Sequence, residues 1–195
     1  LSTALQSRMV HIEVSMDTDP KREGWLEWAA ENDIDHRVRA YIRFSPSDLF
    51  SFNPDHDDKT FACPRTWEFA SRLIKDKKKL SRTDKALLAG TLGEGMGRQF
   101  GQFCEIDETM ITMEEIIRSP ETVEVPTEPS VQFLISGMIG SHLDEKNAKP
   151  VMKFINRLPK EFQVISIRDA GKRDASLKKL PEVQEWKIEN ATELF

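Results

Sequence analysis

"TFACPRTWEFASRLI", Thr60 to Ile74, decides how this chain is read. Pro64 suits the first position of a helix, because its missing N–H would have no partner there anyway. Trp67, Ala70, Ser71 and Ile74 then recur at the spacing of one helical face. The following "KDKKK" supplies cations where a helix C-terminus favours them. Arg65 is the misfit. It falls in the first turn, where the backbone dipole already presents positive charge and a further cation is disfavoured by roughly 0.3–1 kcal/mol. Two readings are open. Either it is satisfied locally, by Asp57 or Asp58 of the preceding "NPDHDDK" loop or by simple solvation, or the guanidinium and the free N–H groups of the turn hold an external anion such as a phosphate.

Outward from this helix the pattern is mostly helical. On the N-terminal side, "DTDPKREGWLEWAAEN" offers Asp19 as a cap and Pro20 as first helical residue, with Trp25, Trp28 and Ala29 at helical spacing. Asp35 caps a second helix that presents Val38, Tyr41 and Ile42, and Ser45-Pro46 opens a short turn. Further upstream, "MVHIEVS" alternates Val10, Ile12 and Val14 with polar residues, the one clear strand signal. Arg8 precedes it, at a junction from which an exposed arginine can reach across to another subunit or simply stand in solvent.

On the C-terminal side, "SRTDKALLAGTLGEGMGRQFGQF" reads as one long helix in which Gly90, Gly93, Gly97 and Gly101 share a face. Each glycine costs about 1 kcal/mol in a helix, so close approach of a neighbouring helix is the expected compensation, with a hinge near Gly93 to Gly97 as the alternative. Thr112 and Glu115 form a capping box, and Pro120 closes that helix. The acidic, proline-bearing "SPETVEVPTEP" reads as a linker. "VQFLISGMIGSHL" and "PVMKFINRLP" have helical spacing, "EFQVISIRDAGKR" suits helix or strand, and a last segment surrounds Trp186. Large aromatics at such spacing, Trp25, Trp28 and Trp67, are expected in the core. The fold class is therefore mainly α, a bundle of roughly seven to nine helices with one or two short strands.

Composition narrows the function classes. Twenty-eight basic against thirty-three acidic residues give 195 residues a net charge of −5, so no global field draws nucleic acid or an anionic membrane. Two cysteines, Cys63 and Cys104, make no disulfide framework, and no apolar run has spanning length; the cytosol is the default compartment. Gly93, Gly95 and Gly97 imitate a phosphate loop without its strand or lysine, and Gly171-Lys172 matches a Walker motif at neither its first glycine nor its hydroxyl residue. P-loop hydrolysis is thus beyond this chain alone. "DHDD", Asp55 to Asp58, is a weak candidate for a divalent cation, and no metal site is expected. Lys75 to Arg82 could touch phosphates but lacks interleaved aromatics, so nucleic acid is not expected as a partner.

Two motifs in order carry a resemblance. "ALQSRMVHIEV" resembles the segment of AAA+ ATPases in which a helix ends in a serine-arginine pair before the last core strand, and "CPRTWEFAS" resembles the sensor 2 motif that opens a lid helix, particularly in MoxR-like ATPases of bacteria and phages. "GWLEWAAENDIDHRVRAYI" is similar to the first lid helices of that group. The similarity is best over residues 1 to about 105. It implies an arginine finger at Arg8, acting in trans on a neighbour's nucleotide, and a sensor 2 at Pro64-Arg65 that contacts the terminal phosphate of ATP. It further implies ATP and Mg in a longer parent, a homo-oligomeric ring such as a hexamer, an N-terminal ATPase core and an unidentified protein substrate. The implied layout is an end of the core at 1–16, a helical lid at 17–118, a linker at 119–129 and a helical extension at 130–195. Of the family pattern, the nucleotide loop, Walker B and sensor 1 are missing here, which sets the expectation that this chain is a catalytically silent piece of a longer parent. The alternative is a stand-alone helical adaptor that holds a protein through its Met-bearing segments "TMITMEEII" and "LISGMIG".

Overall fold

The computed structural model describes residues 7–10, 24–53 and 59–190. The strand expected around Ile12 and Val14, the Asp19-Pro20 helix start and the "DHDD" loop lie outside these residues. Within them the protein is mainly α, with ten α-helices, two short 3₁₀ turns and no strand. The helices are α1 (Gly24–Glu31), α2 (His36–Phe44), α3 (Pro64–Ile74), α4 (Arg82–Leu92), α5 (Glu94–Asp107), α6 (Met113–Arg118), α7 (Pro129–His142), α8 (Ala148–Ile155), α9 (Lys160–Arg173) and α10 (Pro181–Glu189). "EFQVISIRDAGKR" is thus helix.

Local chemistry explains the ends. Asp35 caps α2 by accepting from the backbone N–H of Arg37, and Thr112 and Glu115 cap α6 reciprocally. The long glycine-bearing helix is instead two. Gly93 adopts φ +95°, a conformation that an L side chain resists, and the chain folds back on itself there. A Cβ at Gly97 would strike the backbone of Ala89, so Gly97 lets α5 close on α4 and Gly93 is the turn. Gly90 has open space and Gly101 only ordinary contact with the Lys85 side chain, so the close approach expected of all four glycines is found at Gly97 alone.

Two apolar cores result. Trp67, Phe100, Tyr41, Leu88 and Ile74 centre the first, built from α1 to α5. Phe154, Ile155, Ile139, Phe162 and Trp186 centre the second, built from α6 to α10. α7 belongs to both, with Leu134 in one and Ile135 and Ile139 in the other. It is apolar on all sides, as a helix enclosed by neighbours must be. Its small residues make the enclosure possible: a Cβ at Gly137 would stand 3.0 Å from the His36 carbonyl oxygen, and one at Gly140 would stand 2.6 Å from Asp169 Cβ. The acidic segment before α7 is fastened down by Lys153 on Glu121 at 2.6 Å and by Arg157 Nη1, which donates to the Pro120 carbonyl at 2.8 Å.

Candidate functional site

α3 is held by its buried face. Trp67, Ala70, Ser71 and Ile74 are buried as the spacing predicts, and the Trp67 ring packs on Tyr41 at 5.4 Å and edge-on to Phe100 at 5.1 Å. Trp67 Nε1 also donates to the Asp48 carbonyl oxygen at 2.9 Å, which fixes the rotation of the helix. Arg65 precedes Trp67 by two residues, about 200° around the axis, so locking the tryptophan inward turns the arginine outward. Arg65 is exposed, and its guanidinium makes no hydrogen bond or ion pair with any described residue. Pro64 stands at the first helical position, and the first turn carries no acid.

Beside this helix start lies an aromatic surface. Ser51 N–H donates to the Ala62 carbonyl oxygen at 2.9 Å, which brings Phe50 and Phe52 against Phe61 at ring separations of 6.2 and 4.8 Å. Phe50 and Phe52 remain 42% and 49% exposed, an unusual outlay of apolar ring on a surface. The other sequence-derived arginine, Arg8, is exposed in a turn, and no hydrogen bond or ion pair joins it to Arg65.

The arginines of α2 behave differently. Arg37 is buried; it reaches Asp35 in a fork, with Nε donating to Oδ1 at 2.9 Å and Nη2 to Oδ2 at 2.8 Å. Its remaining donors go to the carbonyls of Ile74 and Lys77, each at 2.9 Å, and so finish the C-terminus of α3. Burial opposes ionisation of Asp35, but the hydrogen bonds of Arg37 and the charges of His36 and Arg37 outweigh it and hold the carboxyl below its ordinary range. Arg39 and Arg43 converge on Asp169 of α9, which is 2% exposed; Arg43 donates at 2.9 and 2.6 Å, and Arg39 completes the triad.

A cleft of about 620 Å³ opens where α2, α3, α5, α6 and α7 meet. Met110, Ile111, Met113 and Met138 form its apolar lining, so the two Met-bearing segments that the sequence offered as an adaptor surface face one space. His36 and Asp107 pair across it at 2.9 Å, and His142 stands edge-on to His36 with ring centroids 6.3 Å apart. No group of histidine, cysteine and acidic side chains suited to a metal occurs among the described residues. Lys75 and Lys77 are occupied by Asp33 and Asp84, and Lys79 faces Glu108 at 3.9 Å, so most of this basic run is spent on intramolecular pairs. Among the described residues, no helix is long and apolar enough to cross a membrane.

Neither a family model, nor a curated protein, nor a solved structure matches this chain. The site therefore rests on its own geometry.

Sequence reasoning missed the α2–α9 triad and the cleft. "HRVRAYIRF" alone shows three arginines on an apolar helix, which is a signal for buried pairing, but the acid that meets two of them lies 126 to 130 residues away. Trp28, expected in the core, is 40% exposed and leans on Trp25 at 6.2 Å instead.

Proposed function

We propose that this chain is the helical lid of a MoxR-like AAA+ ATPase, with the C-terminal helices as its extension, and that ATP with Mg binds between this lid and a P-loop core. The reading is carried by Arg65. A cation placed in a helix's first turn, exposed and without an acid partner among the described residues, is a local electrostatic fault that an anion repairs. The neighbouring rings of Phe50, Phe52 and Phe61 suit a ligand that combines phosphate with a flat base. In this account Arg65 contacts the terminal phosphate in its own subunit, Arg8 reaches the nucleotide of a neighbour in a homo-oligomeric ring, and lid rotation drives remodelling of a protein partner.

The complete enzyme, with its P-loop core present, provides the test. Arg65→Ala lowers ATP turnover by about 10²-fold, the scale of losing one preorganised donor to a developing charge, and leaves the melting temperature unchanged. Arg8→Ala also suppresses turnover, and mixing that variant with subunits unable to bind ATP restores activity at interfaces where an intact Arg8 faces an intact nucleotide site. Undiminished turnover in Arg65→Ala defeats the sensor assignment.

A second reading, a protein-interaction module without nucleotide, is favoured by the convergence of Met110, Met113 and Met138 on one cleft. It takes precedence if Arg65→Ala is silent.

A further inference from the structure

We infer that the methionine-lined cleft docks a basic, amphipathic peptide segment of a partner protein. The inference rests on reading that cleft as an interaction site and is independent of Arg65.

The lining supplies the apolar half of the argument. Half-buried Met110 and Ile111 line, with the edges of Met113 and Met138, each 8% exposed, a space whose 620 Å³ falls within the roughly 300–1,000 Å³ of clefts that enclose a ligand. Unbranched thioether side chains adapt to the shape of whatever they meet, which suits a protein segment better than a rigid small molecule.

Charge selects the sign of the occupant. α3, α5 and α7 all end here, since Lys75, Asp107 and His142 line the cleft. Arg37 already meets the terminal carbonyls of α3 and Arg173 those of α7, so it is the C-terminus of α5 that contributes up to about half a negative charge. The N-termini of α2 and α6 open on the same space, but Asp35 and Glu115 already cap them. The lining cations are largely engaged: Arg37 with Asp35 and two carbonyls, Lys75 with Asp33, and Lys77 with Asp84. Asp76 and Glu114 are exposed and pair with no described residue, and Lys78 alone stands against them as an unengaged lining cation. A segment with apolar residues on one helical face and lysine or arginine beside them meets both halves at once, in the helix-in-groove mode.

Three fluorescently labelled synthetic peptides of one amphipathic design, with leucine on one face and lysine, glutamine or glutamate on the other, test this by anisotropy on the whole chain. The lysine peptide binds saturably and the others do not. Glu114→Lys, at an exposed position, weakens that binding by about tenfold, and added salt weakens it further. Met110→Lys, at a half-buried position packed on both cores, removes it at some cost in melting temperature. Glu114→Lys, whose circular dichroism and melting temperature stay like those of the parent chain, tests the location free of that cost. Equal binding of all three peptides overturns the charge assignment and leaves the interaction reading standing; no binding by any of them removes both. Binding of the lysine peptide that ignores both substitutions overturns the location. Binding of a DNA oligonucleotide that Glu114→Lys strengthens, or self-association that Met110→Lys abolishes, replaces the peptide with that occupant and overturns the inference.

Discussion

Arg37 and Arg65 each stand second in a helix, one in α2 and the other in α3, so each places a cation against the positive end of a backbone dipole. α2 answers its own arginine. Asp35, the capping residue, accepts the guanidinium in a fork, and the other donors close the end of α3. α3 has Cys63 at the capping position, no acid in its first turn and an arginine left in solvent. Arg37 is therefore part of the scaffold, whereas Arg65 presents donors that the described fold does not use. One residue type at one helical position thus serves two purposes, and the difference is made by whether an acid sits at the cap.

Substitutions that break the scaffold side of this contrast give the largest effects. Asp169→Asn removes the carboxylate shared by the buried guanidinium groups of Arg39 and Arg43, so urea unfolding registers a loss of about 3–5 kcal/mol. An unchanged midpoint would show that the triad is solvated in solution. Gly97→Ala forces a methyl group into the backbone of Ala89, and the expected loss is about 1–3 kcal/mol by the same assay.

The contrast is sharpened by acid. Asp35 and Asp84 are both held low in the folded protein, Asp84 to about 2 by hydrogen bonds from Lys77 and Ser81. Groups depressed by folding contribute stability above their ordinary pKa of about 4, and that stability is lost as pH falls through the folded value. The melting temperature should therefore fall as pH drops from about 4 towards 2, and Asp35→Asn should flatten part of that slope. Identical slopes in the two proteins would remove Asp35 from the account. Arg65→Ala stands at the small end for stability, within about 0.5 kcal/mol of the parent chain and so without a resolved change in melting temperature, because the dipole contact it relieves is weak at an exposed site.

Much of this was legible before any coordinates. The caps at Asp35 and Thr112, the buried face of α3 and the outward set of Arg65 follow from short-range periodicity, which a sequence displays directly. The split at Gly93 was half legible: the glycines announced a close approach, but not that the partner was the preceding half of the same segment. The Asp169 triad and the meeting of Met110 with Met138 were hidden, because both depend on how α7 crosses α2 and α9. That crossing is set by Gly137 and Gly140, whose effect appears only once a partner helix is in place.

The central claim is the proposal that Arg65 is held ready for a phosphate, and ATP turnover by the lid together with the P-loop core that this proposal requires measures it most directly. For Arg65→Ala the account predicts a loss of about 10²-fold alongside an unchanged melting temperature. Full turnover in that variant, or a loss matched by unfolding, would contradict it.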